Sequence, residues 1–480
     1  MFSTITQPLE WFRGRDVTVM GLGLFGGGKG VTEFLVKHGA NVTVTDKRTR
    51  EVLAPSIQEL EHLPIRWVLE GHREEDFTRA DLVIPNPAVP RNAPLLELAR
   101  GRGVPLDTEM NLFFKYCPGK ICAVTGANGK TTTTSLVGAM AKNEWPSARL
   151  GGNLGHSLLP AVEEIRPDDW VVLELSSFQL EDLSVLERRP EVSLVTNLSP
   201  NHLDRHGTYS AYCEAKREIL KPGPFPNVAV LNGEDPLVRS WGRGSRRAIY
   251  FGRSAGVDPR ADGAWIREAH AGKAGEVVLC SRGSSTRLFE ASKLSLVGKF
   301  NVLNAAGAAA AAWAMDVSPG NIARAIEEFR AVEHRLEPVV EIDGVEYLND
   351  SIATTPESTI AALEALGPNA VVICGGSSKG CSFRALGQTM ARRARGVVLL
   401  GQTAQSIRES IPARAGGPEV RLAATIEDAV AQAREIARPG DRVILSPACP
   451  SFDMFINFVE RGRKFKEIAR RMARSGSGGS

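Results

Sequence analysis

Apolar and polar positions alternate along this chain in a repeating rhythm of short apolar runs and longer amphipathic stretches. The run DVTVMGLG (16–23) leads through a glycine-rich turn into the helix-like stretch GVTEFLVKHGA (30–40), and NVTVTD (41–46) follows as a second apolar run. IRWVL (65–69) and DLVIP (81–85) continue the pattern. Apolar runs of strand length alternating with amphipathic helices predict a parallel α/β sheet. This first block is expected to close near Asn111.

The rhythm restarts with KICAVTG (120–126), a second glycine-bearing turn, the helix TTTTSLVGAMAK (131–142), and the runs WVVLELSS, VSLVTNLS and VAVLN. Between Trp241 and Leu294 it weakens into short β-like pieces, read as a small antiparallel flank. The helices NVLNAAGAAAAAWAM and NIARAIEEFR close the block. A third block opens on PVVEIDGVEYLND (338–350), two β runs around an Asp-Gly hairpin turn. AVVICGG, GVVLLG and DRVILSPA then alternate with helices. The expected fold is α/β in three domains, 1–111, 112–331 and 332–474, with 475–480 (SGSGGS) as a flexible tail.

Composition narrows the partners more than the fold. With 43% hydrophobic residues, 24% charged residues and a net charge of +3, neither a nucleic acid nor a membrane is indicated as main partner. The basic segment RGRKFKEIARR (461–471) carries an acid among its bases and reads as a solvated helix face. Seven scattered cysteines form no CxxC pair, so neither a zinc site nor a disulfide framework is expected. The N-terminal stretch has no apolar signal-peptide core, and a cytoplasmic location is expected.

Two glycine-rich turns carry candidate chemistry. Gly21-Leu22-Gly23-Leu24-Phe25-Gly26 matches G-x-G-x-x-G after a strand, and Asp46 ends the next strand 20 residues later. Such a turn lets the backbone approach a diphosphate, of NAD or of a UDP-sugar alike; a turn with no ligand is the plain alternative. The second turn, Thr125-Gly126-Ala127-Asn128-Gly129-Lys130-Thr131, differs from G-x-x-x-x-G-K-[ST] because Val124 stands where the first glycine belongs. Backbone N–H groups and Lys130 suit the β- and γ-phosphates, and Thr131 suits Mg²⁺. Glu174, ending an apolar strand, is placed to coordinate that metal; the alternative is a strand-end acid facing water. His202, Asp204, Arg205 and His206 follow another strand end, where α/β sheets gather ligands. A lone histidine is more often structural, and Lys216 by itself reads as a solvated lysine.

TGANGKTTTT, GGNLG, LELSSFQLED, NLSPNHLDRHG with YCEAKREIL, EHRLE, LNDSIATT and LSPACPSFDMF occur in one order. Together they resemble the Mur ligases over nearly the whole chain, and SSFQLE and LSPACPSFDMF are similar to the glutamate-adding MurD type. The resemblance implies a Rossmann-like UDP-binding domain, a central P-loop ATPase-type domain and a C-terminal Rossmann-like domain. It implies ATP-dependent ligation of glutamate to UDP-N-acetylmuramoyl-L-alanine through an acyl phosphate, with ATP and two Mg²⁺ sites, no NAD, and a monomeric enzyme. Carried over by position, Lys130, Glu174, His202 and Lys216 are catalytic. Thr131, Glu174, His202 and Lys216, the last as a carbamate, hold metal. ATP falls to Thr125, Gly126, Asn128, Gly129, Lys130, Thr131, Thr132, Asn301, Asn304, Arg335 and Asp350. The UDP-linked substrate falls to Gly21, Gly23, Leu24, Phe25, Asp46, Lys47, Arg48 and Asn153, and glutamate to Thr354, Lys379, Ser451 and Phe458.

The chain departs from the family pattern at Phe300 (usually His), Asn201 (often an acid), Ile352 (usually Lys) and Ser377 (usually an acid). The last two bear on phosphate and amino-acid contacts of the third domain. Three alternatives stay open: a ligase adding L-glutamate, an NAD-dependent oxidoreductase fused to an ATPase-like module, and a degenerate ligase kept as a binder.

Overall fold

The computed structural model describes residues 7–23, 26–155, 157–224, 227–245, 247–253, 261–268, 275–296, 299–330, 332–378, 381–413 and 416–476. By its internal packing the chain divides into two compact units. One comprises Met1–Leu294 with Val302–Phe329, the other Ser295–Asn301 with Arg330–Ser480.

The first unit holds two sheets. Strands β1 (Asp16–Met20), β2 (Asn41–Thr45), β3 (Ile65–Val68) and β4 (Leu82–Pro85) pair in parallel in the order β3-β2-β1-β4. The helix Gly27–Lys37 returns the chain from β1 to β2 and buries Val31, Phe34 and Leu35 against the sheet. Its first turn lies three residues ahead of the stretch the periodicity predicts, because glycines hide helical character. The helix Glu109–Tyr116 then leads into the second sheet, capped by Thr108, whose hydroxyl accepts from Asn111 N.

The second sheet contains β5 (Lys120–Thr125), β6 (Arg149–Gly152), β7 (Trp170–Glu174), β8 (Val192–Val195), β9 (Val228–Asn232), β10 (Arg247–Arg253), β11 (Gly263–Arg267), β12 (Glu276–Ser281) and β13 (Ser284–Glu290). Their order is β13-β12-β11-β10-β9-β8-β5-β7-β6. Ile121, Cys122, Ala123 and Val124 of β5 are all fully buried, as a central parallel strand covered on both faces requires. The anticipated antiparallel flank is not a separate piece. β10 and β11 extend the sheet in parallel, and the antiparallel pairings are those of β12 with β11 and with the edge strand β13. The alanines of the helix Lys299–Ala314 allow a close approach, since a β-carbon on Gly307 would come within 3.0 Å of the Phe251 ring.

In the second unit, β14 (Glu337–Ile342), β15 (Val345–Asn349), β16 (Ala370–Cys374), β17 (Ala394–Leu399), β18 (Glu419–Leu422) and β19 (Arg442–Leu445) stand in the order β14-β15-β19-β16-β17-β18. β14 and β15 form the predicted hairpin, with Asp343 at φ 52° and Gly344 at φ 75° in the turn. β18, short and half-exposed, went unread in the sequence. The helix Phe458–Gly476 corrects the solvated reading of the basic segment in part: Arg463, Glu467, Arg470 and Arg471 are exposed, but Arg461 and Lys466 are buried. Arg461 is 2% exposed and donates to Ser351 Oγ, Ser351 O and Cys449 O. Lys466, also buried, pairs with Glu333 and Glu337. All seven cysteines are free, and no described helix is long and apolar enough to cross a membrane.

Candidate active site

The glycine turn after β1 is organised by its own backbone. Gly21 (φ 89°) and Gly23 (φ 68°) take left-handed conformations, and Gly23 N donates to Asp46 Oδ2 at 3.3 Å. Arg48 N donates to the other oxygen at 3.0 Å. Asp46 at the end of β2 therefore braces the turn, while Lys47 and Arg48 beside it are exposed. A close helix–strand approach falls at Gly28, because a β-carbon there would lie 2.1 Å from Leu22 O. Leu24 and Phe25 are outside the described residues.

The turn after β5 is held from three sides. Gly126 (φ 145°) makes the bend that Val124 cannot, and a β-carbon there would sit 1.9 Å from Thr196 Oγ1. Ala127 N donates to Asn197 O at 2.8 Å and Asn128 N to Asn197 Oδ1 at 3.0 Å, while Thr196 Oγ1 donates to Asn128 O at 2.7 Å. Gly129 (φ 79°) caps the helix Lys130–Glu144 and packs on the Asn304 amide. Lys130 Nζ folds back to Ala127 O at 2.9 Å, Thr131 is half-buried, and Thr132 is buried on the same helix. Thr196 and Asn197 were missed in the sequence, although β8 neighbours β5 and its end necessarily meets this turn.

Sheet register gathers the remaining groups. Glu174 pairs with Val124 on one side and Gly152 on the other, which sets Asn153 and Thr131 beside its carboxylate. Glu174 is 2% exposed; its Oε2 accepts from Thr131 Oγ1 at 2.7 Å and its Oε1 from Asn153 Nδ2 at 2.8 Å. Lys216, on the helix Tyr209–Arg217, is also 2% exposed, and its Nζ donates to Thr125 Oγ1 at 3.3 Å. Burial holds its ammonium well below the usual lysine range, the Lys130 charge adds to this, and Glu174 opposes it. So Lys216 is no solvated lysine.

His202 sits after β8 in a left-handed conformation (φ 52°), exposed, with its ring edge-on to Phe178 at 5.0 Å. Its backbone N–H is capped by Asn201 Oδ1 at 2.9 Å, so the amide that replaces the family's acid serves the backbone. Phe178 follows Ser176, whose side chain forms a capping box with Gln179 at the start of the helix Ser177–Leu183. Phe178 also stacks on His206 at 5.2 Å.

The second unit carries its candidates separately. Asp350 ends β15, accepts from Leu336 N and Ser446 Oγ, and is pushed by burial up to about 7, with the Arg335 guanidinium opposing. Thr354 follows two residues after Ile352, whose N–H is tied to His334 O. Ser377 is bound to Pro450 O through its N–H and hydroxyl. Ser451 is 2% exposed and its Oγ has no hydrogen-bond partner among the described residues. Phe458 meets the His334 ring edge-on at 5.9 Å. Asn301 lies in the first turn of its helix, next to exposed Phe300; Lys379 is outside the described residues.

Among the described residues no three His, Cys, Asp or Glu side chains gather as a metal cage. A hydroxyl and one buried carboxylate oxygen 2.7 Å apart at the mouth of the loop are instead the hard-oxygen donors that fit Mg²⁺. The chain thus falls in the class of multi-sheet α/β proteins with a P-loop-type glycine turn beside a buried strand-end carboxylate.

Family models for the Mur ligase MurD-like N-terminal domain, the Mur ligase middle domain and the Mur ligase glutamate ligase domain match residues 15–107, 124–312 and 334–449. The UDP-N-acetylmuramoylalanine–D-glutamate ligase of a Roseiflexus species is 42% identical over 95% of this chain and 98% of its own length. That of Pelotomaculum thermopropionicum is 40% identical over 96% and 98%. Among solved structures, the UDP-N-acetylmuramate–alanine ligase of Thermotoga maritima shares the fold, with a TM-score of 0.62 at 21% identity over 95% of this chain and all of its own. The chain belongs to the Mur ligase family.

Proposed function

We propose that this chain joins D-glutamate to UDP-N-acetylmuramoyl-L-alanine at the expense of ATP, a step of peptidoglycan precursor synthesis in the cytoplasm. The observation that carries this reading is the buried Glu174, bracketed by the Thr131 hydroxyl and the Asn153 amide with Lys130 and Lys216 alongside. Whole-length similarity to ligases that add D-glutamate supports the choice of substrates.

A carboxylate is a poor electrophile until one of its oxygens becomes part of a leaving group. The alanyl carboxylate oxygen attacks the γ-phosphorus of ATP, the bond to ADP breaks, and an acyl phosphate forms. The amine of glutamate then attacks the acyl carbon, inorganic phosphate departs, and the nitrogen loses a proton. Such transfer needs chiefly positioning and neutralised charge. Lys130 supplies the cation on the β- and γ-phosphates, the Gly126–Gly129 turn cradles them, and Thr125, Asn128 and Thr132 shape that cradle. Thr131 and Glu174 would hold Mg²⁺, which neutralises phosphate charge when bound.

The neutral amine is the form that attacks CO₂, and burial shifts Lys216 toward that form, so Lys216 is suited to become a carbamate. That carbamate and His202 would serve a second Mg²⁺. Asn301, Asn304, Arg335 and Asp350 complete the ATP contacts in this reading. Gly21, Gly23, Leu24, Phe25, Asp46, Lys47, Arg48 and Asn153 take the UDP-linked substrate. Thr354, Lys379, Phe458 and Ser451, whose hydroxyl has no hydrogen-bond partner among the described residues, take glutamate. The division into domains at residues 111 and 331, and a monomeric state, belong to the same proposal. The test is phosphate release from ATP and Mg²⁺ with UDP-N-acetylmuramoyl-L-alanine and D- or L-glutamate in turn. Release with D-glutamate alone is expected; none with either isomer would overturn the reading.

A further inference from the structure

We infer that Arg205 is a positioning residue that clamps the segment carrying His202 to the first sheet's loop after β4, and so ties the carboxylate-activating site to the grip on the UDP-linked substrate. The inference rests on the ligase reading above.

Arg205 spans between two sheets of the same unit. Its guanidinium donates to Ala88 O at 3.2 Å and to Val89 O at 2.9 Å. A planar fork is the group that satisfies two neighbouring carbonyls at once; a lysine reaches only one with good geometry. The loop it holds packs on the glycine turn, since Asn86 Nδ2 donates to Gly21 O at 3.3 Å and a β-carbon on Gly21 would lie 3.1 Å from Asn86 Cβ. The clamp therefore grips the back of the proposed UDP site.

The other face of the guanidinium lies 4.5 Å over the Phe178 ring, and His202 meets that same ring. His202 has the backbone most in need of support here, a left-handed non-glycine residue, and its carbonyl accepts from Arg205 N at 3.1 Å and His206 N at 3.0 Å. His206 is fixed in turn, its Nε2 2.9 Å from Ser177 Oγ. Arg205 thus touches the first-domain loop through its fork, His202 through its backbone, and the ring against His202 through its face.

Kinetic constants of two variants test this. Arg205→Lys is expected to raise KM for UDP-N-acetylmuramoyl-L-alanine and to lower kcat, each about tenfold, with KM for glutamate and the melting midpoint nearly unchanged. Phe178→Leu leaves both carbonyl bonds in place, so kcat should fall while KM for the UDP-linked substrate holds; this variant carries the test if Arg205→Lys does not fold. Wild-type constants in either folded variant would overturn the clamp, as would a parallel rise of every KM with a lowered melting midpoint. A wild-type protein without turnover would instead overturn the ligase reading.

Discussion

The molecule contains two strand–glycine turn–helix units, after β1 and after β5, and they use the same parts differently. In the first, the acid is spent on the turn itself: Asp46 accepts from Gly23 N and Arg48 N. In the second, backbone bracing is delegated to Thr196 and Asn197, just past the end of the neighbouring strand β8. That leaves Glu174 to accept from two side chains, the Thr131 hydroxyl and the Asn153 amide. Glycine spacing reports how closely a backbone is approached. The class of reaction is told by which charged side chains remain around the turn once the backbone is satisfied.

The largest separation between the two turns should come from Lys130→Ala. With no cation to meet the developing γ-phosphoryl charge, phosphate release is expected to fall on the order of 10³-fold or more. Lys130 Nζ donates to Ala127 O at 2.9 Å within its own turn, and a melting midpoint read beside phosphate release shows that the variant is folded. Near-normal turnover would place the phosphate site elsewhere, and the first turn would become the candidate. Somewhat smaller is Lys216→Ala, expected to cost about a hundredfold or more in kcat. If the lysine acts as a carbamate, added short carboxylic acids should restore part of the activity by filling the vacated space with an oxygen ligand. A variant indifferent to such acids would argue for a plain cationic role.

Much of this was legible beforehand, and the unread parts have physical causes. The strand rhythm of all three blocks, the Asp-Gly hairpin and the TGANGKT turn are local patterns, and the structure returns them as its strands, the short β6 and β18 excepted, and as the Gly126–Gly129 bend. Glu174 was legible because it ends an apolar run. Thr196 and Asn197 were not, because their role depends on β8 lying beside β5, a pairing set by tertiary order. The basic C-terminal segment was misread for a related reason. Composition does not tell that Arg461 meets three oxygen acceptors, Ser351 Oγ, Ser351 O and Cys449 O, in a buried place. A close approach falls at Gly28, beyond the three glycines of the fingerprint, because the glycine-rich turn extends past Gly26.

That close approach yields a sharper, smaller test. A β-carbon on Gly28 would meet the backbone of Leu22, which has no room to give, whereas one on Gly27 meets nothing within 4 Å. Gly28→Ala should therefore cost about 1–3 kcal/mol in unfolding free energy, the usual range for overpacking. Gly27→Ala, in an open helical position, should gain about 0.4–1 kcal/mol by restricting the unfolded chain. Denaturant unfolding reads both. Equal effects at the two positions would mean that the turn is not pinned at Gly28.

The smallest effect probes how the helix of the first turn is seated on the second sheet. A β-carbon on Gly30 of that helix would lie 2.3 Å from Ser157 Cβ, and the Ser157 hydroxyl donates to Glu109 Oε1. Burial raises the Glu109 carboxyl from 4.5 to about 7, with the Ser157 hydrogen bond opposing. Between those values the native state keeps a proton that the unfolded chain has released, so stability is greatest below about pH 4.5 and is lost as pH rises through about 7. Glu109→Gln cannot titrate and still offers Ser157 an acceptor. Asp182, raised to about 6, and Asp350, raised to about 7, titrate in the same window, so the difference between the two proteins is the measurement and not either curve alone. From pH 5 to pH 8 the variant's melting midpoint should climb relative to wild type by a few degrees. A flat difference would show that Glu109 is ionised in the native state and that this seat is wetter than its packing implies.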